Sequence, residues 1–99
     1  VAPGWIASSG MDSYDEDYRA VLRGLAAKVP LQRFGTEAEL AAAVVFLLSP
    51  AAAFINGSVI RVDGGVPNAR HSWTLAPAAR GETYDGFPQY APPSLFSAD

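Results

Sequence analysis

The densest group of residues that could do chemistry is acidic and lies near the start of the chain, at Asp12, Asp15, Glu16 and Asp17. Carboxylates this close together could bind a metal ion or exchange protons. Carboxylates at the beginning of a helix also stabilise it, because they interact favourably with the positive end of the helix dipole. We favour this structural interpretation and predict no metal site.

The other candidate groups are isolated. His71 is the single histidine and has no serine or aspartate partner at a recognisable spacing, so we interpret it as a loop residue rather than a general base. The sequence Asp63-Gly64-Gly65 could contact a phosphate, but it is more typical of a turn after a strand. The absence of cysteine excludes disulfides, thiol catalysis and cysteine-ligated zinc. Scattered basic residues and a net charge of −3 argue against nucleic-acid or anionic membrane partners.

A first helix, predicted over residues 14–28, would position the acidic group. Ser13 and Glu16 are the predicted capping box, and Pro30 is the predicted stop. Apolar residues recur at helical spacing and are expected to form one stripe. Its members are Tyr14, Tyr18, Val21, Leu22, Leu25 and Val29.

A second helix is predicted over residues 37–48, after a break at Gly35, with Thr36 and Glu39 as its capping box. It has almost no polar face after its first turn, which is typical of a helix buried on more than one side. One more turn is predicted over residues 51–54 and a strand over residues 58–62. This is the only complete strand that the pattern predicts, and we expect its pairing partners to lie outside this sequence.

The chain carries more apolar surface than its length can hide. It is 49% hydrophobic and 17% charged, and a domain of this size buries only roughly 60–65% of its unfolded surface. We therefore expect it to pack against further protein. The first residues form neither a basic leader nor an initiator methionine, so we expect the chain to continue upstream of Val1. No apolar run reaches the roughly 18 residues of a transmembrane helix.

Residues 66–99, the C-terminal arm, have a different composition. Five of the eight prolines lie here among aromatic residues, without a period of either helix or strand. The arm is too aromatic for a typical disordered tail. We predict that it is extended and packs on a protein surface, with Trp73 and Phe87 as anchors.

Three motifs follow one another before the arm. They are Pro3-Gly4-Trp5-Ile6-Ala7-Ser8, then residues 29–40 with the apolar run to Leu48, then residues 55–65 ending in Val62-Asp63-Gly64-Gly65. In this order and spacing they resemble the C-terminal portion of the short-chain dehydrogenase/reductase family. The arm is faintly similar, at Tyr84-Asp85-Gly86-Phe87-Pro88, to members that act on citronellol-type terpenoids or enoyl thioesters.

The resemblance implies an α/β fold, a doubly wound Rossmann-type parallel sheet of which residues 1–65 form the C-terminal part. Residues 1–2 would end the sixth strand, and residues 58–62 would be the seventh strand. Residues 14–28 would be a mobile helix over the substrate, and residues 37–48 the last long helix. The N-terminal remainder of the same enzyme would be the first partner of this chain.

The same resemblance implies a nicotinamide cofactor, NAD or NADP. Ser8 stands where the family usually has threonine, and its hydroxyl would reach the cofactor. The implied cofactor-binding residues are Pro3, Gly4, Ile6 and Ser8. The implied substrate-contacting residues are Trp5, Met11, Tyr14 and Tyr18.

The family's glycine-rich cofactor loop and its catalytic serine, tyrosine and lysine do not occur in this sequence. The resemblance implies that they precede Val1, so we predict no catalytic residue here. The expected function is part of an NAD(P)-dependent oxidoreductase that transfers a hydride between nicotinamide and a carbonyl or alcohol substrate. The chain would contribute the loop beside the nicotinamide, the substrate lid and a subunit interface. The alternative is a non-catalytic interaction or oligomerisation fragment.

We expect a cytoplasmic protein that is a homo-oligomer, most often a tetramer in such a family. A two-fold contact would let one apolar patch cover its own copy. The side chains expected to divide between sheet core and subunit contact are Val44, Phe46, Leu47, Leu48 and Ile60.

Overall fold

The computed structural model describes residues 1–68, 76, 82–84, 86 and 93–96. Within them the chain forms a small α/β unit of two helices and four two-residue strands. The helices are α1 (Glu16–Ala26) and α2 (Glu37–Leu48). The strands are β1 (Ala2–Pro3), β2 (Ile6–Ala7), β3 (Gly35–Thr36) and β4 (Arg61–Val62).

The strands form two parallel pairs. β1 pairs with β4, with Ala2 opposite Arg61, and β2 pairs with β3, with Ile6 opposite Gly35. Parallel strands need long crossover connections, and here α1 lies between β2 and β3 while α2 lies between β3 and β4. This arrangement is compatible with a fragment of a Rossmann-type sheet.

The predicted start of α1 was wrong. Its N-cap is Asp15, whose side chain accepts a hydrogen bond from the Tyr18 amide at 2.8 Å. Ser13 instead ends a 3-10 helix, Ser9–Ser13, and its hydroxyl donates to the Gly10 carbonyl at 2.8 Å. Two residues could cap this helix, and the aspartate nearer its first turn takes the position.

The predicted end of α1 at residue 28 was also too late, because the last turn tightens after Ala26. The amides of Lys28 and Val29 bond to carbonyls only three residues back, at 3.0 and 3.2 Å. The predicted single apolar stripe divides in two. Leu22 and Val29 are buried, whereas the exposed members are Tyr14, Tyr18 and Val21.

The prediction of α2 is confirmed, including its capping box. The Glu39 amide donates to Thr36 Oγ1 at 3.1 Å, and the Thr36 amide donates to Glu39 Oε2 at 2.9 Å. The further turn predicted over residues 51–54 is a 3-10 helix, Pro50–Ala52. It begins one residue earlier because proline suits the first position of a helix.

The strand predicted over residues 58–62 is shorter, since only Arg61–Val62 pairs as a strand. The expectation that its partners lie outside the sequence was wrong for one edge, which β1 occupies. β3 was missed because Gly35 was interpreted only as a break. A Cβ at Gly35 would lie 2.8 Å from Ile6 Cδ1, so this glycine lets β2 and β3 approach closely.

The core of the described residues is small and is formed by β2, α1, the residue before β3 and the C-terminal arm. It consists of Ala7, Leu22, Ala26, Phe34 and Leu95, with Met11 and Leu25 packed against it. None of the helices in the described part of the chain has the length and apolar content to cross a membrane.

Candidate functional site

Residues 3–8 are held from both sides by backbone hydrogen bonds. The Gly4 amide donates to the Val62 carbonyl at 2.9 Å, which fixes the end of β1 against β4. The Gly35 amide donates to the Trp5 carbonyl at 2.9 Å, which fixes the start of β2 against β3. The loop is therefore positioned by two ladders rather than by its own turn.

Gly4 lies where the loop passes closest to the neighbouring strand end. A Cβ at this position would lie 2.7 Å from Cα of Asp63, an approach that real Cβ atoms do not make. Asp63 is itself fixed, because its carboxylate accepts from the Gly65 amide at 2.9 Å. Gly64 and Gly65 have φ values of +63° and +89°, so the interpretation of this sequence as a turn is confirmed.

The backbone of Ile6 faces away from β3. In a parallel ladder, the N–H and C=O groups of successive residues point to opposite sides of the strand. Since the Trp5 carbonyl accepts from Gly35, the N–H and C=O of Ile6 point to the other edge. Ile6 therefore presents one donor and one acceptor to whatever lies beyond that edge.

Ser8 marks the transition from strand to 3-10 helix. Its backbone is extended, with φ −123° and ψ 158°, and its carbonyl accepts from the Met11 amide at 3.0 Å. Its hydroxyl does not cap the Ser9–Ser13 helix, and the side chain is half-buried. The hydroxyl is thus available to a group outside that helix.

The four predicted substrate residues fall into separate contacts. The Trp5 ring packs at 5.8 Å from the Phe34 ring, and Met11 packs on the cluster that contains Phe34. Tyr14 and Tyr18 instead meet each other edge to face at 5.1 Å and are exposed. The structure brings Trp5 and Met11 to one cluster, and leaves the tyrosine pair at the start of α1.

An ion pair beside β3 was missed by the sequence reasoning, which assigned Glu39 only to a capping box. Arg33 binds Glu39 through its two terminal guanidinium nitrogens, Nη2 and Nη1, at 2.7 and 2.9 Å. Glu39 also accepts from the Thr36 amide at 2.9 Å and from the Tyr84 amide at 3.2 Å. One carboxylate therefore joins α2, the segment before β3 and the C-terminal arm.

These contacts set the charge state of Glu39. Burial alone raises the pKa of its carboxyl group, but the hydrogen bonds from Arg33, Thr36 and Tyr84 together outweigh burial and hold the pKa below 4.5. Glu16 has a lowered pKa as well, chiefly because Arg23 donates a hydrogen bond to it. Both groups are charged at neutral pH, and neither is poised as a general acid.

A groove of about 500 Å³ is lined in part by β3 and β4, the strands that pair with β2 and β1. Its lining residues are Leu31, Arg33, Gly35, Glu39, Arg61, Val62, Asp63, Gly64 and Gly65. Its lining does not include Trp5, Ile6 or Ser8, so it is a separate feature from the predicted cofactor loop. Residues of β3 and β4 therefore share one concave surface.

The acidic group near the start of the chain has structural partners. Asp15 caps α1, with Glu16 and Asp17 in its first turn, so the helix-start interpretation is confirmed for these three residues. Asp12 accepts hydrogen bonds from Ser94, which the sequence reasoning did not foresee. The predictions for His71, Trp73 and Phe87 fall outside the described residues.

Comparison with known proteins places this sequence in a family. The sequence model of the enoyl-(acyl carrier protein) reductase family matches residues 1–67, so the match stops short of the arm segment at residues 84–88. It includes both parallel pairs, α1 and α2. The family match therefore covers every element that positions residues 3–8.

Curated relatives agree with the family match. The chain is 46% identical over 70 residues to the inactive 2-(S)-hydroxypropyl-CoM dehydrogenase 2 of Xanthobacter autotrophicus, covering 67% of this chain and 30% of that protein. It is 38% identical over 66 residues to the acetoacetyl-CoA reductase of an Acinetobacter species, covering 67% and 25%. It is 42% identical over 66 residues to the 3-oxoacyl-[acyl-carrier-protein] reductase FabG of Escherichia coli, covering 67% and 26%.

The chain spans about a quarter to a third of the length of these relatives. The family match over residues 1–67 includes the loop and its two ladders, which is the part of the molecule that the sequence motifs singled out. Family match, relatives and geometry agree: the chain belongs to the short-chain dehydrogenase/reductase family.

Proposed function

We propose that this chain is the C-terminal part of an NAD(P)-dependent oxidoreductase and that residues 3–8 border the nicotinamide. The observation that carries the proposal is the orientation of Ile6, whose backbone N–H and C=O face away from β3 in a chain of this family. A carboxamide offers one acceptor and two donors, which matches such a pair of backbone groups. When bound, the cofactor exchanges a hydride with the carbonyl or alcohol carbon of the substrate.

Four residues of the loop have a part on the cofactor side of this proposal. Ile6 binds the carboxamide through its backbone, and the Ser8 hydroxyl reaches the same group. Pro3 and Gly4 fix the path of the loop, because Gly4 permits close contact with Asp63. The NAD or NADP preference depends on residues of the family that precede Val1.

The substrate side is formed by Trp5 and Met11 and is covered by Tyr14 and Tyr18. Trp5 is 37% exposed, so part of its ring remains free to contact a small molecule. The names of two relatives describe reduction of 3-oxoacyl thioesters, which makes acetoacetyl-CoA a suitable test substrate. The serine, tyrosine and lysine of the family would be supplied by the N-terminal remainder of the protein.

The test is cofactor binding by the complete protein with Ser8→Ala. Loss of one hydrogen bond is expected to weaken NADH or NADPH binding by about 0.5–1.5 kcal/mol, measured by nicotinamide fluorescence. Ser8→Thr keeps the hydroxyl and should bind normally. Ser9→Ala is the matched control, since Ser9 is the exposed neighbour. An unchanged dissociation constant for Ser8→Ala would count against this role.

A second candidate function, a non-catalytic oligomerisation fragment, is favoured by the exposed apolar surface of α2 and the segment after it. Leu48 is 81% exposed and Phe54 is fully exposed. We assign this surface to contact with the N-terminal remainder and with other copies of the protein, as a homo-oligomer and most simply a tetramer. A complete protein that assembles but binds neither NADH nor NADPH would favour the second candidate over the first.

A further inference from the structure

The Ser94–Phe96 3-10 turn of the C-terminal arm docks beside residues 9–26, which are called the substrate segment because they carry Met11, Tyr14 and Tyr18. The Ser94 amide donates to Asp12 Oδ1 at 3.0 Å, and the Ser94 hydroxyl donates to the same oxygen at 2.8 Å. Asp12 lies in the Ser9–Ser13 helix, and this helix begins directly after Ser8. The arm therefore binds the residues that connect the loop to α1.

Leu95 anchors the same turn in the core. It is 4% exposed and belongs to the cluster of Ala7, Leu22, Ala26 and Phe34. Its carbonyl accepts from Arg23 Nε at 3.3 Å. One leucine of the arm thus packs in the same cluster as Ala7 of β2 and as Leu22 and Ala26 of α1.

The Ser9–Ser13 helix has little else to hold it. None of its residues is buried, and a 3-10 helix of this length has poor hydrogen-bond geometry of its own. Its Met11 side chain packs against the cluster that contains Leu95. The position of this helix therefore depends on the arm through a polar contact at Asp12 and an apolar contact at Leu95.

We propose that Asp12, Ser94 and Leu95 form a clasp that positions residues 9–26 against residues 3–8, so that the substrate segment is ordered before substrate binds. This inference rests on the proposed function, because it names what orders the substrate side of that site. A segment that is already ordered loses less conformational entropy when the substrate binds, so binding costs less free energy. The three residues are positioning residues, which act through Met11, Tyr14 and Tyr18.

The first experiment measures amide hydrogen exchange in the complete protein. Asp12→Ala should speed exchange of the Met11 and Tyr14 amides roughly ten- to a hundredfold, through loss of hydrogen bonds to a charged group. Leu95→Ala should speed it about thirtyfold or more, because it removes a buried side chain. Exchange within α2 should be unchanged in Asp12→Ala, which separates local opening from global destabilisation.

Two further variants control this measurement. Asp17→Ala removes the same charge from the first turn of α1 without touching Ser94, and should leave Met11 exchange unchanged. Asp12→Asn keeps an acceptor oxygen and should restore slow exchange in part. Unchanged exchange at Met11 and Tyr14 in both Asp12→Ala and Leu95→Ala overturns the clasp, as does acceleration in Asp17→Ala equal to that in Asp12→Ala.

The second experiment measures steady-state kinetics with acetoacetyl-CoA and cofactor binding by fluorescence. Asp12→Ala should raise KM for acetoacetyl-CoA several-fold while the NADH or NADPH dissociation constant stays the same. An unchanged KM with faster exchange would overturn the substrate role of the clasp. If the wild-type protein binds no nicotinamide, the proposed function and the substrate role both fail, while the exchange data still decide whether the arm holds the segment.

Discussion

The two helices differ in how much of their apolar surface is buried. The more charged helix, α1, buries more residues than the more apolar helix, α2. α1 contains charged residues along much of its length, yet its Leu22 and Ala26 enter the core. α2 is almost entirely apolar after its first turn, yet only Ala38 is buried. The apolar side chains at its end are exposed, with Leu48 at 81%.

This difference shows that periodicity, rather than apolar content, decides what this chain buries by itself. The narrow apolar face of α1 matches one surface, formed by β2, Phe34 and Leu95. α2 has apolar residues all round, and such a helix needs neighbours on several sides. The prediction that it divides between sheet and subunit contact stays a prediction, although all its named side chains except Leu47 are exposed here.

The largest expected effect is on the 99-residue chain expressed alone. With α2 and the segment after it uncovered, we expect aggregation or a molten state rather than a native fold, because exposed apolar patches of this kind associate. Light scattering and thermal unfolding by circular dichroism would measure this. A sharp, cooperative transition of a monomer would break the comparison, since the α2 side would then need no further cover.

The next effect is on assembly of the complete protein. Leu48→Glu should shift it to a smaller species at micromolar concentration, because a charge at an apolar interface is costly to desolvate. Val21→Glu places the same charge on the exposed part of α1 and should leave the assembly unchanged. Multi-angle light scattering distinguishes them, and equal behaviour of the two variants would remove the distinction between the helices.

Substitutions of two glycines test the comparison through the free energy of unfolding. Gly4→Ala should destabilise the complete protein by about 3 kcal/mol, the upper end for overpacking, because the new Cβ meets the backbone of Asp63. Gly24→Ala lies in α1 with open space around it and should stabilise by about 0.5–1 kcal/mol. Denaturant midpoints measure both, and a neutral Gly4→Ala would contradict the close approach of β1 and β4.

The last prediction concerns pH. The pKa of Glu39 in the folded protein is lowered. Its contribution to the free energy of unfolding is therefore present above pH 4.5 and is lost as the pH falls through the folded-state pKa. Glu39→Gln should therefore cost about 1.5 kcal/mol at pH 7 and progressively less in acid. Glu37→Gln removes a charge from the same turn without touching Arg33 and should change stability little. A Glu39→Gln deficit that is constant from pH 7 to pH 3 would argue against the ion pair.

The fold could be predicted from sequence where its causes are local. The capping box of Thr36 and Glu39 spans one turn, so its residues alone specify it, and α2 was placed correctly. The start of α1 was missed because Ser13 and Asp15 can both cap a helix, and Asp15, which lies directly before Glu16, takes the position. β3 was missed because a two-residue strand has no periodicity to detect.

In the site, too, features with local causes could be predicted from the sequence, whereas features that depend on long-range contacts could not. The sequence motif located residues 3–8, but the orientation of Ile6 depends on a hydrogen bond between Trp5 and Gly35 that no local pattern specifies. The contacts of Asp12 with Ser94 join residues 82 positions apart and have no sequence signal. Long-range polar pairs of this kind follow from the fold and cannot be predicted before it.

The carboxylate of Glu39 also bears on the order of events during protein synthesis. Its contacts with Arg33 and Thr36 can form as soon as the first turn of α2 leaves the ribosome. Its contact with the Tyr84 amide joins residues 45 positions apart, and at about 5–20 residues per second the ribosome needs several seconds to make that stretch. During this interval the nascent chain carries a finished helix start whose last hydrogen-bond donor has not yet left the ribosome.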